Sequence, residues 1–380
     1  MKIEGAWLKR DETQAVADAL KKAGYGAFFV GGCVRNALLG APVHDIDIAT
    51  DAWPEEVMEA SEAAGLKPVP TGIEHGTVTV VSGGIPHEVT TFRRDVETFG
   101  RHATVAFSTD IAEDARRRDF TMNALYANPD GTVLDPLEGI EDLKARRVRF
   151  IEDPVARIRE DYLRILRFFR FHAWYGDMQA GPDAEGLAAC AAELEGLGQL
   201  SRERVGAELL KLLAAPDPAP SVASMRAAGV LAAVLPGADD RFLAPLVHLE
   251  GETAPDPVRR LAALGGEGVA ERLRLSKAQA RQLGQLAELS ASAMPPLELG
   301  YRHGMDLGRD ALLLRGAYAN AAPSDAEMGD LEKGARAKFP VAAADLMPAF
   351  EGPELGRKLA ELEARWLRSG CTLGRDDLLG

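Results

Sequence analysis

Apolar and polar positions divide the chain into an N-terminal part that contains strands and a helical remainder. Residues 11–23, "DETQAVADALKKA", have apolar residues at helical spacing, and Gly24 ends this predicted helix. Four short segments, rich in β-branched residues and bounded by Gly or Pro, then predict strands: "FFV" (28–30), "IDIAT" (46–50), "GTVTVV" (76–81) and "PHEVTTF" (86–92). The last two are separated by "SGGI", which predicts a hairpin.

From about residue 150 the strand pattern is absent, and the chain is rich in Ala, Leu and Arg with helical periodicity. Pro-rich breaks at 215–221, 253–257 and 294–298 separate helical pieces. We therefore predict an α+β fold, with a mixed head over about 1–150 followed by an all-helical region.

Composition and charge narrow the class of protein. The 380 residues contain no apolar segment near the roughly 18 residues of a membrane span. The N-terminus has scattered charges and does not resemble a secretory signal, so we expect a cytoplasmic protein. Its three cysteines are far apart, which argues against a disulfide framework and against a structural zinc site.

The net charge of -14 argues against indiscriminate nucleic-acid binding, which rests on Lys and Arg neutralising phosphates. Positive charge is nevertheless concentrated in one part of the chain. The alternative interpretation of this part is a solvated helical face with ion pairs. Its residues are Arg116, Arg117, Arg118, Lys144, Arg146, Arg147, Arg149, Arg157, Arg159, Arg164, Arg167 and Arg170.

The segment "GGCVRNALLGAPVHDIDIAT" (31–50) combines paired glycines with paired aspartates. Because side chains alternate along a strand, Asp45 and Asp47 would point to the same face, where carboxylates suit Mg2+. Gly31 and Gly32 precede a helix-like segment whose N–H groups can bind anionic oxygens, with Arg35 nearby. The alternatives are a solvated strand face for the aspartates and a purely geometric turn for the glycines.

Glu88, in a neighbouring predicted strand, is the third candidate carboxylate. Three acids could hold two Mg2+ ions roughly 3.5–4 Å apart, an arrangement that activates an attacking oxygen and stabilises a leaving one. Taken alone, Glu88 is more often a surface acid.

Five segments in order resemble the motifs of the class II (bacterial and eukaryotic) tRNA nucleotidyltransferase and poly(A) polymerase family. They are "GGCVRNALLG...DIDIAT", "EVTTFR", "RRDFTMNALY", "DPLEGIEDL" and "REDYLRILRFFRF", within about residues 25–175. The resemblance implies a polymerase-beta-like nucleotidyltransferase head (1–150), a helical neck (151–212), a body (213–300) and a tail (301–380). It also implies that Asp45, Asp47 and Glu88 bind the catalytic metals and that Gly31, Gly32 and Arg35 hold the triphosphate.

A second candidate site lies in "RIREDYLRILRFF", where Glu160, Asp161 and Arg164 would share one helix face. A surface ion pair is the plain alternative. A carboxylate accepts hydrogen bonds and a guanidinium donates them, which suits the pairing edges of cytosine and adenine. Uracil and guanine present the reverse order and would leave buried groups unpaired. The segment resembles the family's EDxxR nucleotide-recognition motif, and Arg167 follows as a further candidate nucleotide-binding residue.

The segment "RRDFTMNA" contains Arg118, Asp119 and Asn123, which in relatives contact the sugar and phosphates of the incoming nucleotide. A basic helix start is the alternative for this motif alone. Between Glu88 and this motif the family has a flexible loop. Phe99 stands where many relatives have an acid, which leaves the behaviour of this loop open.

We therefore expect the addition of C, C and A to the tRNA 3′ end from CTP and ATP, with two Mg2+ ions and release of pyrophosphate. The acceptor and TΨC arm of tRNA would be recognised by shape and backbone. Candidate backbone contacts are Arg202, Arg204, Arg272, Arg274, Lys277 and Arg281.

Other activities remain as alternatives. Within the family these are poly(A) polymerase and a half-enzyme that adds only CC or only A. A metal-dependent phosphohydrolase is more distant, suggested by the adjacent His44 and Asp45. An RNA-binding protein without catalysis is disfavoured, because the three carboxylates and the EDxxR residues are present. The oligomeric state is not predicted.

Overall fold

The computed structural model describes residues 1–99, 102–347 and 349–380, with the backbone alone for 95–99 and 102–105. The chain divides into two compact units. The first comprises Met1–Leu212 and Pro220–Val234, and the second comprises Leu213–Ala219 and Leu235–Gly380. The finer division into head, neck, body and tail stays a prediction. A helix over Pro296–Ala319 crosses the boundary proposed at residue 300.

All strands of the described residues belong to the first unit. They are β1 (Phe28–Val30), β2 (Asp47–Thr50), β3 (Lys67–Gly72), β4 (Thr77–Ser82), β5 (Ile85–Thr91), β6 (Arg93–Phe99), β7 (His102–Phe107), β8 (Tyr126–Ala127) and β9 (Val133–Leu134). Seven of these described strands form one sheet in the order β3-β4-β5-β2-β1-β8-β9, and β6 pairs with β7. The predicted α+β fold is confirmed.

The described α-helices are, in chain order, α1 (Asp11–Lys22), α2 (Gly32–Leu38), α3 (Pro54–Ala63), α4 (Ile111–Arg116), α5 (Gly139–Lys144), α6 (Pro154–Glu160), α7 (Leu163–Tyr175), α8 (Ala184–Ala192), α9 (Arg202–Leu213), α10 (Ala219–Ala227), α11 (Val230–Val234), α12 (Leu243–Glu250), α13 (Pro257–Leu264), α14 (Val269–Arg272), α15 (Lys277–Ala291), α16 (Pro296–Ala319), α17 (Asp325–Arg336), α18 (Gly352–Arg368) and α19 (Arg375–Leu379). None of the described helices is both long and apolar enough to cross a membrane.

The hairpin predicted at "SGGI" is confirmed, because β4 and β5 are antiparallel and Ser82 pairs with Ile85. Gly83 and Gly84 both have positive φ angles, of 56° and 84°. Tight hairpin turns require this conformation at both central residues, and glycine adopts it without steric cost.

Alternation along β5 separates the core from the site. His87, Val89 and Thr91 are buried, whereas Glu88 is exposed. Helices α1 and α3 pack against β5, and the buried His87 lies 3.1 Å from the hydroxyl of Thr13 on α1 in a side-chain hydrogen bond. The opposite face therefore presents Glu88 to solvent, as the period of two in a strand requires.

A single helix predicted through residues 157–169 is wrong. Helix α6 ends at Glu160, and α7 begins at Leu163. Asp161 between them is extended (φ -154°, ψ 105°), and its Oδ1 accepts a hydrogen bond from the Leu163 N–H at 3.1 Å. An aspartate side chain that bonds to the backbone two residues on competes with helical hydrogen bonding, which explains the break.

The second unit is helical and contains a buried charge network. Arg259 and Arg260 are only 2% and 1% exposed. Both bind the carboxylate of Glu250, at 2.7 Å each, and Arg259 also binds Asp310 at 2.7 Å. Arg260 additionally donates to the Leu213 carbonyl at 2.6 Å. Buried ions are tolerated because each has charged and hydrogen-bonding partners.

Candidate active site

One cavity of about 810 Å³ in the first unit collects residues that the sequence analysis proposed separately. Ten of the thirteen predicted site residues line it: Gly31, Gly32, Arg35, Asp45, Asp47, Glu88, Arg118, Asp119, Asn123 and Arg167. They come from segments that are distant along the chain. The fold, and not sequence proximity, therefore assembles this group.

The acidic wall of the cavity is built by two parallel strands. Asp47 of β2 lies directly opposite Glu88 of β5 in the pairing register. Asp45 also lines the cavity, but it precedes the strand, which begins at Asp47 and not at Ile46 as predicted. Strand alternation is thus not what places Asp45, which lies in the exposed approach to β2.

The acidic wall opposes ionisation of Asp47. Burial raises the pKa of Asp47 to about 6, with further increases from the charges of Glu88 and Asp45 and an opposing effect from Arg118. A carboxylate in this position is stabilised by any cation that enters the cavity.

The carboxylates of the acidic wall suit an Mg2+ ion that also binds oxygen atoms of the substrate. Within the described ranges, no group of three His, Cys, Asp or Glu side chains is arranged to hold a metal ion by itself. Mg2+ uses one or two carboxylates and retains water and phosphate oxygens. The paired Asp47 and Glu88, with their mutual repulsion, fit such an open site. The described histidines join no such group either, so the phosphohydrolase alternative gains no support.

The glycine turn forms another side of the cavity. Gly31 has φ 69° and ψ -119°, and its N–H donates to the Leu125 carbonyl at 3.0 Å. A Cβ at this position would lie 3.3 Å from Nη1 of Arg118. Gly31 is therefore required both by its conformation and by the close approach of Arg118. The predicted helix start is confirmed, because α2 begins at Gly32.

Arg35 is fixed by two contacts that reach across the unit. Its Nη1 donates to Oδ1 of Asn123 at 2.5 Å, and its Nη2 donates to the Tyr175 hydroxyl at 2.8 Å. The guanidinium also lies 3.9 Å from the centre of the Tyr175 ring. Burial lowers the pKa of Arg35, which is nevertheless a charged donor at neutral pH. Tyr175 was not predicted as a site residue, because no local sequence pattern links it to Arg35.

Asp119 connects two other predicted residues. It accepts from Nδ2 of Asn123 at 2.9 Å and from Nε of Arg167 at 2.8 Å. Burial would raise the pKa of Asp119, but Arg167 and Asn123 hold it below its usual value. Asp119 is therefore an ionised acceptor that orients the residues around it.

Arg118 has two partners that were not predicted as site residues, Asp114 and Tyr126. It donates to Asp114 at 3.1 Å and to the Tyr126 hydroxyl at 3.2 Å, and that hydroxyl donates to Asp114 at 2.7 Å. Burial opposes the charge of Arg118, but Tyr126 and Asp114 raise its pKa overall. The triad holds one guanidinium beside the glycine turn.

The EDxxR residues do not line this cavity. Arg164 forms an ion pair with Glu160, as their spacing predicted. Asp161 instead binds Arg204 at 2.6 Å and lines a separate cavity of about 270 Å³. Arg204, proposed as an RNA contact, is thus engaged by Asp161. The charge of Arg164 nevertheless acts on a residue of the main cavity, because it helps to lower the pKa of Asp119.

Further cationic and aromatic residues of the main cavity were not predicted as site residues: Arg10, Arg170, Phe171 and Lys211. The sequence contained enough information to predict two of them. Arg170 and Phe171 lie three and four residues after Arg167 and so share its face of α7. The loop whose behaviour Phe99 left open includes Gly100 and Arg101, which lie outside the described residues, as does the side chain of Phe99.

The sequence of this chain matches known protein families. Residues 27–149 match the poly A polymerase head domain, and residues 183–242 match the probable RNA and SrmB-binding site of polymerase A. The Danio rerio protein named CCA tRNA nucleotidyltransferase 1, mitochondrial, is 32% identical over 401 residues, covering 97% of this chain and 90% of that protein. The chain belongs to the CCA tRNA nucleotidyltransferase family.

Other members of the CCA tRNA nucleotidyltransferase family agree over shorter lengths. The CCA-adding enzyme of Levilactobacillus brevis is 39% identical over 232 residues, which is 60% of this chain and 57% of that enzyme. The chain thus matches little more than half the length of this curated relative. Among solved structures, the Bacillus stearothermophilus CCA-adding enzyme in complex with CTP has a TM-score of 0.72 at 28% identity, covering 94% of this chain and 92% of that one.

Proposed function

We propose that this chain adds C, C and A to the 3′ end of tRNA, using CTP and ATP and releasing pyrophosphate. The observation that supports this most directly is the single cavity in which Asp45, Asp47 and Glu88 face Gly31 and Arg35. An acidic wall beside a cationic glycine turn is the arrangement that nucleotidyl transfer needs. Relatives named CCA-adding enzyme, and one solved in complex with CTP, support the choice of substrate.

In this proposal Asp45, Asp47 and Glu88 hold the Mg2+ ions. Bound there, Mg2+ would supply charge neutralisation for the triphosphate and lower the pKa of the attacking hydroxyl. Asp47 and Glu88 orient that 3′-hydroxyl towards the α-phosphate, and Glu88 assists the removal of its proton. Positioning and electrostatic stabilisation provide most of such a rate increase.

The opposite wall binds the nucleotide. The N–H group of Gly32, with Arg35 and Arg118, would hold the triphosphate, and Gly31 would shape the turn that presents this donor. Asp119 and Asn123 would contact the sugar, with Arg167 orienting Asp119 through their ion pair. The network therefore orients the side chains that would contact the nucleotide.

Base choice is assigned to Asp161 and Arg164. Both residues have protein partners here, Arg204 and Glu160, which hold the two side chains in defined positions. Arg164→Ala is expected to relax or abolish the preference for C and A over U and G, because a guanidinium donor is lost. Unchanged selectivity with a parental rate would overturn this assignment.

The activity is tested with purified protein, Mg2+ and a tRNA transcript that lacks its 3′ end. CTP, ATP, both together, UTP or GTP are supplied, and the products are sized at single-nucleotide resolution. Two additions with CTP and a third only with ATP would support CCA synthesis. A stop at two additions indicates a CC-adding enzyme, and a long ladder of A indicates a poly(A) polymerase.

The metal assignment is tested separately with Asp47→Ala and Asp45→Ala. Each is expected to abolish nucleotide transfer while tRNA binding stays within a few-fold of the parent, because the acidic wall does not itself attract phosphates. Transfer at the parental rate would contradict the assignment. Removal of Mg2+ with EDTA should stop transfer, and added Mg2+ should restore it.

A further inference from the structure

A tryptophan on α7, Trp174, follows the residues of that helix that line the catalytic cavity and has no role in the proposed catalysis. Arg167, Arg170 and Phe171 of α7 line the cavity. Trp174 lies seven residues after Arg167, four after Arg170 and three after Phe171. These spacings place it on the same face of α7. Trp174 is nevertheless 41% exposed.

The indole is held in place by α9. Nε1 of Trp174 donates to the Lys211 carbonyl at 2.8 Å, and Lys211 lines the catalytic cavity. One turn earlier on both helices, Arg170 forms an ion pair with Glu208 at 2.6 Å. Two contacts thus join α7 to α9 beside the cavity, and they fix the orientation of an exposed aromatic ring next to a lysine.

Exposed aromatic faces flanked by cations are how proteins bind single-stranded nucleic acid, since each base has a face to stack and each phosphate a charge to neutralise. We propose that Trp174 is a stacking platform for the unpaired 3′-terminal base of the RNA, with Lys211 and Arg170 contacting its backbone. The inference rests on the function proposed above. Stacking is tolerant of base identity, which suits a primer whose terminal base changes with each addition.

The test compares the parent with Trp174→Ala and Trp174→Phe on two tRNA transcripts lacking the CCA end. One transcript is unmodified, and the other has an abasic 3′-terminal nucleotide. Trp174→Phe retains a ring to stack but loses the hydrogen bond to Lys211. Trp53→Ala is the matched control, because Trp53 is also exposed, at 54%, but it precedes α3 and packs on Phe107.

For Trp174→Ala we expect KM for the unmodified RNA to rise about tenfold, within the range for loss of one aromatic–base stack, with KM for CTP unchanged. Trp174→Phe and Trp53→Ala should stay within about threefold of the parent. For the parent, KM for the abasic RNA should be about tenfold higher than KM for the unmodified RNA. For Trp174→Ala, the two RNAs should have the same KM. A purely structural role for the indole N–H predicts instead that Trp174→Phe is impaired as much as Trp174→Ala.

Equilibrium binding of both RNAs, measured by fluorescence anisotropy without nucleotide, separates this inference from the proposed activity. If the parent extends no RNA, the proposed function fails, and the platform is judged by binding alone. Equal affinity of the parent and Trp174→Ala for the unmodified RNA would overturn the platform. A rise in KM for CTP only would assign Trp174 to the incoming base and would also overturn it.

Discussion

The raised pKa of Asp47 predicts that removing the charge of this carboxylate will stabilise the fold, although it abolishes the proposed metal binding. The ordinary value of 3.8 and the raised value of about 6 differ by about two pKa units. At about 1.36 kcal/mol per unit, the ionised carboxylate costs the folded state up to about 3 kcal/mol. Asp47→Asn keeps the size of the side chain and removes this cost.

The sign of the pH dependence follows from proton linkage. Between pH 3.8 and about 6 the folded protein binds more protons at Asp47 than the unfolded chain, so stability falls as the pH rises. The advantage of Asp47→Asn should therefore be near zero below pH 4, about half developed at pH 5 and complete above pH 7. Urea unfolding of both proteins in EDTA, from pH 5 to pH 8, measures this difference.

The exposed Asp18 of α1 provides a matched control. Asp18→Asn should change the free energy of unfolding by less than about 0.5 kcal/mol at each pH, as surface substitutions usually do. The reasoning is refuted if Asp47→Asn is less stable than the parent at pH 8, or if its advantage does not grow between pH 5 and pH 7.

Two further substitutions test the turn and the buried network, each by urea unfolding. Gly31→Ala should cost about 1–3 kcal/mol, because a side chain at φ 69° and ψ -119° is strained and its Cβ approaches Arg118, whereas Gly32→Ala should change stability by less than about 1 kcal/mol. Equal effects of the two would contradict this. Glu250→Gln should cost about 3–5 kcal/mol by leaving two buried guanidinium groups underneutralised, while the exposed Glu252→Gln should be neutral. A cost for Glu250→Gln below about 1 kcal/mol would show that the network contributes little.

The sequence by itself determined the features that depend on local geometry. The Gly83–Gly84 hairpin, the helix start at Gly32 and the loss of strands in the helical part all follow from periodicity and glycine conformation, which act over a few residues. The order of the motifs was also sufficient to identify the family. The turn and the helix start are each encoded within one short segment, and the family is indicated by several such segments in order.

Only the tertiary structure decided which side chains meet. Tyr175 stacks on Arg35 across 140 positions, and no local pattern encodes such a pair. Asp161 is the clearest example of a partner that the sequence pattern did not predict. Its spacing from Arg164 predicted that the two share a helix face. In the fold Asp161 breaks the helix and binds Arg204, 43 residues away. An ionic group chooses its partner by what packing brings within reach and by the cost of leaving a charge unpaired, and both are set by the assembled chain.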